Sequence, residues 1–247
     1  MKLKFHSKIE LSKRDKEKGL ILPKKSSEDL AYLCGVLAGD GNINVRKERY
    51  DFAIKCVGNP KDEIEFYDYV IKEKFHKVFG AEIKPKLHDK GTTYGFSFWS
   101  TSLVRFLNEE IGLPIGKKYD KLKIPSIFKS DKKLSAAFIR GLADTDFCLT
   151  FKKNRKTVPY YPVIVGVSKS ELFMKEVMNH LKGLGFSVCF ENRREFDKRV
   201  NKNVFTSKIY LNGEKQLALW MSEIGFEHPK NLKKFNSHMK YNSGGWI

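Results

Sequence analysis

One nine-residue motif occurs twice in the chain, and this duplication restricts the possible folds more than any other feature of the sequence. Residues 33–41 are LCGVLAGDG and residues 139–147 are IRGLADTDF. A second pair of similar segments, IGL at 111–113 and IGF at 224–226, recurs at a comparable spacing. Repeats this far apart are not those of a short solenoid. The sequence therefore predicts two copies of one domain-sized unit in a single chain.

Hydrophobic spacing predicts the same order of elements in both copies. In the first copy, helices are expected from Ser26, after Pro60 and over 102–111, with strands near 42–48, 51–57, 81–88 and 94–99. In the second copy, helices are expected over 131–145, around 173–184 and from Glu214, with strands near 148–154, 160–168, 187–194 and 203–211. The order αββαββα, twice, predicts an α+β fold whose antiparallel sheets pack one face on helices and leave the other for a ligand.

Small residues are placed alike in the two motif helices. Gly35 and Gly39 are four residues apart in the first, and Gly141 and Thr145 are four apart in the second. Small residues at this spacing form a flat stripe on one helix face, which allows two backbones to approach closely. The two motif helices are therefore expected to pack against each other through these stripes.

Each motif helix also ends in a carboxylate, Asp40 in the first and Asp146 in the second. If the helices pack as expected, the two carboxylates meet at the negative ends of the helix dipoles, where each is disfavoured and the two repel. A divalent cation with oxygen ligands reverses this energy, and paired carboxylates of this kind support phosphodiester hydrolysis. The simpler alternative is that each aspartate only ends a helix. Its presence at equivalent places in both copies favours the metal-binding interpretation.

The two motifs resemble the signature motifs of the LAGLIDADG homing endonucleases, and residues 116–125 resemble the linker of single-chain members of that family. The resemblance covers roughly residues 27–235. It implies two αββαββα units related by a pseudo-twofold axis, with the motif helices packed at the centre. The two four-stranded antiparallel sheets then form a saddle over the DNA major groove. The resemblance further implies Mg²⁺ at Asp40 and Asp146, with Gly39 and Thr145 as neighbouring ligands and with Mn²⁺ or Ca²⁺ able to substitute in binding.

This organisation divides the chain into five predicted segments. They are a basic N-terminal extension, a first half-domain, a linker, a second half-domain and a C-terminal tail, over residues 1–26, 27–115, 116–130, 131–235 and 236–247.

Two further features concern catalysis. Family members carry polar or basic side chains at the strand-to-helix junctions beside each metal site, and the matching positions here are Asn59 (or Lys61) and Lys169. The second motif departs from the family because Phe147 stands where a glycine is usual. Since phenylalanine tolerates a positive φ poorly, an altered metal geometry is expected in that half.

The charge of the chain indicates a polyanionic partner. Lysine and arginine number 47 against 29 aspartates and glutamates, which gives a formal net charge of +18. Such an excess attracts nucleic acid, although a solvated basic surface is the usual alternative. Basic side chains recur at corresponding hairpins of both copies, as expected if they contact DNA. The candidate DNA-binding residues are Arg46, Lys47, Arg49, Lys84, Lys86, His88, Lys152, Lys153, Arg155, Arg193, Arg194 and Lys208.

The most favoured function is a metal-dependent, site-specific endonuclease that acts as a monomer on a long, asymmetric double-stranded DNA site. Two alternatives remain open on the same fold: an RNA maturase that assists intron splicing, which Phe147 favours somewhat, and a DNA-binding regulator without cleavage activity. The scattered cysteines do not form a zinc-binding pattern, and no phosphate-cradling glycine loop is present. No apolar run approaches the length of a membrane span, so an intracellular, non-secreted protein is expected.

Overall fold

The computed structural model describes residue 5 and residues 8–153, 160–197 and 201–243. The chain divides into two compact units, Met1–Thr145 and Asp146–Ile247. Each unit contains one four-stranded antiparallel sheet and the helices packed on it. The predicted α+β class and the predicted pair of four-stranded sheets are confirmed. Within the described ranges, no helix combines the length and the apolar character that crossing a membrane requires.

Some helices of the first unit begin at side chains that cap them. Ser27 accepts a hydrogen bond from the backbone of Leu30, and Ser100 accepts one from Leu103, which satisfies N–H groups that a helix start leaves open. The helices are α1 (Lys13–Glu17), α2 (Glu28–Gly39), α3 (a π-helical turn Phe66–Ile71 continued by Lys72–Phe79), α4 (Thr101–Arg105 continued by the π-helical turn Phe106–Ile111), α5 (Ser126–Lys129) and α6 (Lys132–Asp146, of which Asp146 belongs to the second unit).

Alternation along the strands gives the first sheet a buried face and an open face. Its strands are β1 (Gly41–Arg46), β2 (Asp51–Gly58), β3 (Lys86–His88) and β4 (Thr93–Trp99), in the order β1-β2-β4-β3. Ile43, Ile54 and Phe98 occupy one row across three strands and are buried against the helices. Side chains at the intervening positions, such as Asn42 and Lys55, project from the opposite face.

The second unit repeats this arrangement. Its strands are β5 (Phe147–Lys152), β6 (Tyr161–Ser168), β7 (Cys189–Asp197) and β8 (Lys202–Asn212), in the order β5-β6-β8-β7. Its helices are α7 (Glu171–Gly183), α8 (Glu214–Glu223) and α9 (Pro229–Ser243). The hairpin β7–β8 is longer than its counterpart β3–β4, where β3 has only three residues. Trp220 of α8 is fully buried and packs against Phe147, Phe186 and Phe226.

Described parts of the predicted N-terminal extension and C-terminal tail form helices. The predicted N-terminal extension contains α1 and packs on the first unit, where Leu20 is buried and the Ile21 N–H donates to Phe79 at 2.8 Å. Helix α9 runs through the basic segment near the C-terminus and into the predicted tail. It protects the free edge of β5: Asn231 accepts from the Leu149 N–H at 3.5 Å, and Lys234 donates to the Leu149 carbonyl at 2.8 Å.

The two motif helices pack against each other within the first unit, as their small residues predict. A Cβ added to Gly35 would lie 2.0 Å from the carbonyl oxygen of Phe138, and one added to Gly141 would lie 2.0 Å from that of Tyr32. Only glycine allows backbones this close. This contact places α6, the first helix of the second sequence copy, in the first compact unit.

Candidate metal site and nucleic-acid interface

Asp40 stands at the junction of helix and sheet in the first unit. It is the C-cap of α2, it is half-buried, and β1 begins at the next residue. Gly41 follows because no larger residue fits: its Cβ would lie 2.5 Å from the backbone of Leu37. The φ of Gly41 is not positive, so the requirement here is space. Asp40 is thereby fixed where the open face of the sheet starts.

A lysine from the linker lies at the carboxyl end of the same helix. The Lys118 ammonium donates to the carbonyls of Ala38 at 2.9 Å and Leu37 at 3.3 Å, and also to that of Gly39. Cations are favoured at this end of the helix dipole. The sequence analysis did not identify Lys118 as a site residue, because its role depends on how the linker folds back over α2.

The charge of Asp40 affects the pKa values of two neighbouring side chains, Cys56 and Tyr67. Burial raises the pKa of the Cys56 thiol, the negative charge of Asp40 raises it further, and Lys118 opposes this effect. Burial also raises the pKa of Tyr67, with added contributions from Cys56, Asp40 and Glu63. Cys56 and Tyr67 therefore stay neutral and form the floor of a site whose charges are Asp40, Glu63 and Lys118.

Glu63 is a second acidic group that the sequence analysis missed. Its carboxylate lies over Gly58, where an added Cβ would approach its Oε2 to 1.5 Å. Gly58 ends β2 and Glu63 lies in the turn after it, where its N–H donates to the Asn59 carbonyl at 3.1 Å. In the sequence, a glycine at the end of a strand followed by a carboxylate gives little indication of a site residue. Glu63 is recognised as one only from the fold of the turn.

In the second unit, Asp146 takes the equivalent position. It is the last residue of α6, it is half-buried, and β5 begins at Phe147. Phe147 is buried over Gly166 and Trp220, and its φ is not positive. The anticipated backbone strain is therefore absent, because this position needs room and the second unit provides it.

The other predicted metal-site residues lie beside the two carboxylates. Gly39 and Thr145 each precede the aspartate of their own copy. The Gly39 carbonyl accepts from Lys118, and the Thr145 hydroxyl donates back to the Leu142 carbonyl at 2.9 Å. Asp144, two residues before Asp146, is buried and accepts from the Tyr32 hydroxyl at 2.7 Å. It therefore has a structural partner within the first unit.

The predicted junction residues are in place at the strand-to-helix turns. Asn59 is exposed after β2, and its side-chain oxygen accepts from the Lys61 N–H at 3.0 Å. Lys169 is exposed between β6 and α7, next to Ser170, which caps α7. Both side chains are accessible from solvent, as a role beside a bound substrate requires.

The donor set around Asp40 fits a hard divalent cation. Carboxylate and carbonyl oxygens are the ligands that Mg²⁺ and Ca²⁺ prefer, and the helix end already holds an ammonium group. Among the described residues, no group of three or more His, Cys, Asp or Glu side chains forms a complete metal cage. Mg²⁺ is typically held by one or two carboxylates, with water and substrate phosphates completing its shell. The residues present suit that mode.

The open face of the first sheet carries three of the six candidate DNA-binding residues of that copy. Arg46 projects from β1, and Lys86 and His88 project from β3 on the same face. Lys84 is exposed just before β3. The exposed turn Lys47–Arg49 joins β1 to β2 and contains the other two candidates.

The open face of the second sheet is basic and acidic at once. Arg193 pairs with Glu191 at 2.6 Å, and Lys208 pairs with Glu195 at 2.6 Å. The Tyr210 hydroxyl also donates to Glu191 at 3.1 Å. Hydrogen bonding to Arg193 is the largest influence on the pKa of Glu191, which it holds below the usual range. Two of the candidate cations are thus balanced by carboxylates of the same face.

Arg194, a candidate DNA contact, is exposed on the face of the second sheet opposite to that of Arg193. Arg194 lies opposite Phe205, in the same row as Ile209 and Ser207, whose side chains are buried against helices. Adjacent residues of a strand point to opposite faces, so Arg193 and Arg194 cannot both project from the open one. Lys152 projects from the open face of β5, and Lys153 is exposed just after it. Arg155 lies outside the described residues.

Sequence comparison finds distant relatives of the chain. No family model matches the chain. An uncharacterized protein of Methanocaldococcus jannaschii is 25% identical over 177 residues, covering 68% of this chain and 60% of that protein. The alpha subunit NrdEB of ribonucleoside-diphosphate reductase from Bacillus subtilis is 22% identical over 192 residues, covering 74% of this chain and 17% of that protein. The chain therefore spans less than two thirds of these curated relatives.

Solved structures give the clearer likeness. I-DmoI in complex with DNA and Ca aligns with a TM-score of 0.54 at 15% identity, over 85% of this chain and 98% of that chain. The homing endonuclease I-WcaI, bound to its DNA recognition sequence, aligns with a TM-score of 0.53 at 15% identity, over 90% of this chain and 92% of that chain. The chain has the fold of the LAGLIDADG homing endonucleases.

Proposed function

We propose that this protein is a site-specific endonuclease that hydrolyses double-stranded DNA with divalent metal ions at Asp40 and Asp146. The observation that carries the proposal is the repeated placement of a half-buried carboxylate between the motif helix and the first strand of each sheet. A carboxylate needed only to end a helix has no reason to recur there in both copies. The likeness to I-WcaI bound to DNA, and to I-DmoI bound to DNA and Ca, supports the same proposal.

The proposed ligands are Asp40, Asp146 and the neighbouring Gly39 and Thr145. Mg²⁺, or Mn²⁺ or Ca²⁺ in binding alone, would supply Lewis acidity and lower the pKa of a bound water beside the scissile phosphate. The chain itself contributes fixed charges. Lys118, held by the carbonyls of α2, places a positive charge beside Asp40, where phosphate charge has to be stabilised. Asn59 and Lys169 are proposed to orient water or phosphate oxygens at the strand-to-helix turns.

DNA is proposed to bind along the open faces of the sheets. Strands place alternate side chains toward the major groove, where arginine, lysine and asparagine can recognise base edges. In the first unit this set consists of Arg46, Lys86 and His88 with the exposed Lys84, Lys47 and Arg49; in the second it consists of Lys152, Lys153, Arg193 and Lys208. Because the two sets differ, the target is proposed to be long and asymmetric and the protein to act as a monomer.

The test is selection and cleavage of a randomised duplex DNA library, with and without Mg²⁺, by the wild-type protein and by an Asp40→Asn, Asp146→Asn double variant. Metal-dependent cutting at one long sequence by the wild-type protein alone is the expected result. Selective duplex binding without cutting in Mg²⁺ or Mn²⁺ would contradict the endonuclease and point to a DNA-binding regulator.

RNA-stimulated splicing in the absence of duplex cleavage would identify a maturase instead. The matched control is an Asp120→Asn, Glu73→Gln double variant, which removes the same charge from exposed positions outside both motifs. This control should cut normally, and equal loss of cutting in both double variants would show that the effect is not specific to the motif carboxylates.

A further inference from the structure

A pocket of about 320 Å³ lies at the end of the first sheet farthest from Asp40. Helix α1, the turn between β1 and β2, and the end of β4 form its walls, and its lining includes Arg14, Lys18, Arg49, Tyr50 and Trp99. Because β1 runs from Gly41 to Arg46, the pocket is about 17 Å along the strand from the candidate metal site, at about 3.3 Å per residue. This α1 pocket therefore lies at the outer end of the first sheet, away from the proposed site of cleavage.

Helix α1 is fixed in this position by a buried carboxylate. Asp15 is 1% exposed, accepts from the Ser12 hydroxyl at 2.8 Å and from the Ser102 N–H at 3.4 Å, and is also hydrogen-bonded by Ser100. Burial by itself raises the pKa of Asp15, but the hydrogen bonds from the three serines together lower it, so the group is an anion. Lys18 donates to the Trp99 carbonyl at the opposite end of α1. The helix is thus held to the first unit at both ends.

The pocket presents cations beside exposed aromatic rings. Arg14 and Arg49 are exposed, Trp99 is 55% exposed, and Tyr50 is 90% exposed with a left-handed backbone φ of 48°. An aromatic residue held in this backbone conformation and left in solvent is unusual. Trp99 lies opposite Ala53 on the open face, in the row next to the pair Lys55–Ser97, so its ring belongs to the face proposed to meet DNA.

The acidic residues of the pocket do not cancel its cations. Asp15 is occupied by the serine hydrogen bonds, and the acidic lining residues, Asp15 and Asp51, are outnumbered by Arg14, Lys18 and Arg49. Lys18 donates to the Trp99 carbonyl, which leaves Arg14 and Arg49 to face a ligand, and arginine with an aromatic platform suits a sugar–phosphate backbone.

We propose that the α1 pocket binds the sugar–phosphate backbone of duplex DNA outside the segment covered by the first sheet, with Arg14 as its principal phosphate contact. This inference rests on the proposed function only in so far as the protein binds duplex DNA; it does not require cleavage. At about 3.4 Å per base pair, the contact lies roughly five base pairs outward from the scissile phosphate of that half. It assigns a DNA-binding role to α1, in the segment predicted as an N-terminal extension.

The test compares Arg14→Ala with Lys16→Ala, which removes an equal charge from an exposed position of the same helix outside the pocket. Binding is measured by fluorescence anisotropy as a function of salt, on a duplex selected from a random library or, if none is selected, on a long duplex of random sequence. Arg14→Ala should weaken binding about tenfold, as for the loss of one charge-assisted hydrogen bond, and should reduce the salt slope by about 1. Lys16→Ala should change both much less.

A selected duplex shortened on the flank next to the first unit adds a second arm. On that duplex Arg14→Ala should have no further effect, because its phosphate is missing. Tyr50→Asn removes the exposed ring but keeps a residue that tolerates a positive φ, and it should weaken binding to the long duplex only. Equal effects of Arg14→Ala and Lys16→Ala, or equal effects of Arg14→Ala on long and short duplexes, overturn the inference. Failure of the wild-type protein to bind any duplex overturns the proposed function and the inference together.

Discussion

The two motif helices touch in the same way but end differently. Gly35 and Gly141 make equivalent backbone contacts, each with space for a hydrogen atom only. After the aspartate, the first copy has Gly41, pressed against the last turn of α2, whereas the second has Phe147, buried in the core of the second unit. The close contact of the helices requires glycine at the same position in both copies. The size of the residue after the aspartate depends on the space that its own unit leaves there.

The open faces differ in the same sense. In the first unit, Lys118 brings a cation to the helix end that carries Asp40. In the second, Arg193 and Lys208 are paired with carboxylates of their own sheet. The first unit therefore places a cation beside its motif carboxylate, and the second places ion pairs on the open face of its longer hairpin. The following experiments separate these two roles.

The largest expected effect concerns the core of the second unit. Phe147→Ala removes a buried ring between Trp220 and Gly166, and should lower the free energy of unfolding by about 3–5 kcal/mol in urea titrations followed by circular dichroism. Phe205→Ala, at a position 45% exposed, is the matched control and should cost about 1 kcal/mol or less. A similar loss in both would mean that Phe147 does not have the packing role described above.

The helix contact common to both copies is tested next. Gly35→Ala and Gly141→Ala should each destabilise the protein by about 3 kcal/mol, because the added methyl overlaps a facing backbone carbonyl. Gly183→Ala at the end of α7, where nothing lies within 4 Å, should be neutral or slightly stabilising. If the two motif glycines differed widely in thermal denaturation, their equivalence would have to be abandoned.

A kinetic difference is expected between the two DNA strands. Lys118→Met keeps the bulk of the side chain but removes the charge at the end of α2, and should slow cleavage of one strand about tenfold, which equals about 1.4 kcal/mol of barrier. Strand-specific end labels in a nicking assay measure this directly. Lys117→Met, its exposed neighbour, should slow neither strand by more than a factor of about two. Equal slowing of both strands by Lys118→Met would contradict a local role.

The smallest effect should come from releasing a paired cation. Glu191→Gln removes the partner of Arg193 and should strengthen duplex binding by a factor of roughly three at low salt, with the gain disappearing as salt rises. Glu28→Gln, an exposed position in the first turn of α2, removes the same charge elsewhere and should change affinity less. Unchanged or weaker binding by Glu191→Gln would show that the ion pair itself is needed to position Arg193.

Much of the architecture could be predicted because it depends on periodic patterns. The alternation of Phe96 and Phe98 located β4, and the glycines of the motifs located the helix contact. Helix α9 was harder to detect, because the residues that attach it to β5, Asn231 and Lys234, are polar and give no hydrophobic stripe. Sequence periodicity detects apolar faces, and it does not detect an element held by polar side chains.

The site was less predictable for a related reason. Asp40 and Asp146 could be identified from the repeat, since each occupies the same place in its copy. Lys118 was not, because its contact with α2 depends on the path of the linker, for which a single sequence has no periodic signal. The face from which Arg194 projects was not predictable either, because strand register determines the face and charges alone do not fix the register.

The placement of α6 has a consequence for the history and engineering of such a chain. The second sequence repeat starts with α6, yet that helix packs on Gly35 and is part of the first compact unit. If the gene were divided in the linker, the first fragment would lose the helix that covers the exposed backbone around Gly35. A division after Thr145 would leave each compact unit with its own sheet, but would separate the second motif helix from its aspartate. The boundary between the sequence repeats and the boundary between the compact units fall at different residues. No single cut in the chain therefore keeps both the repeats and the compact units whole.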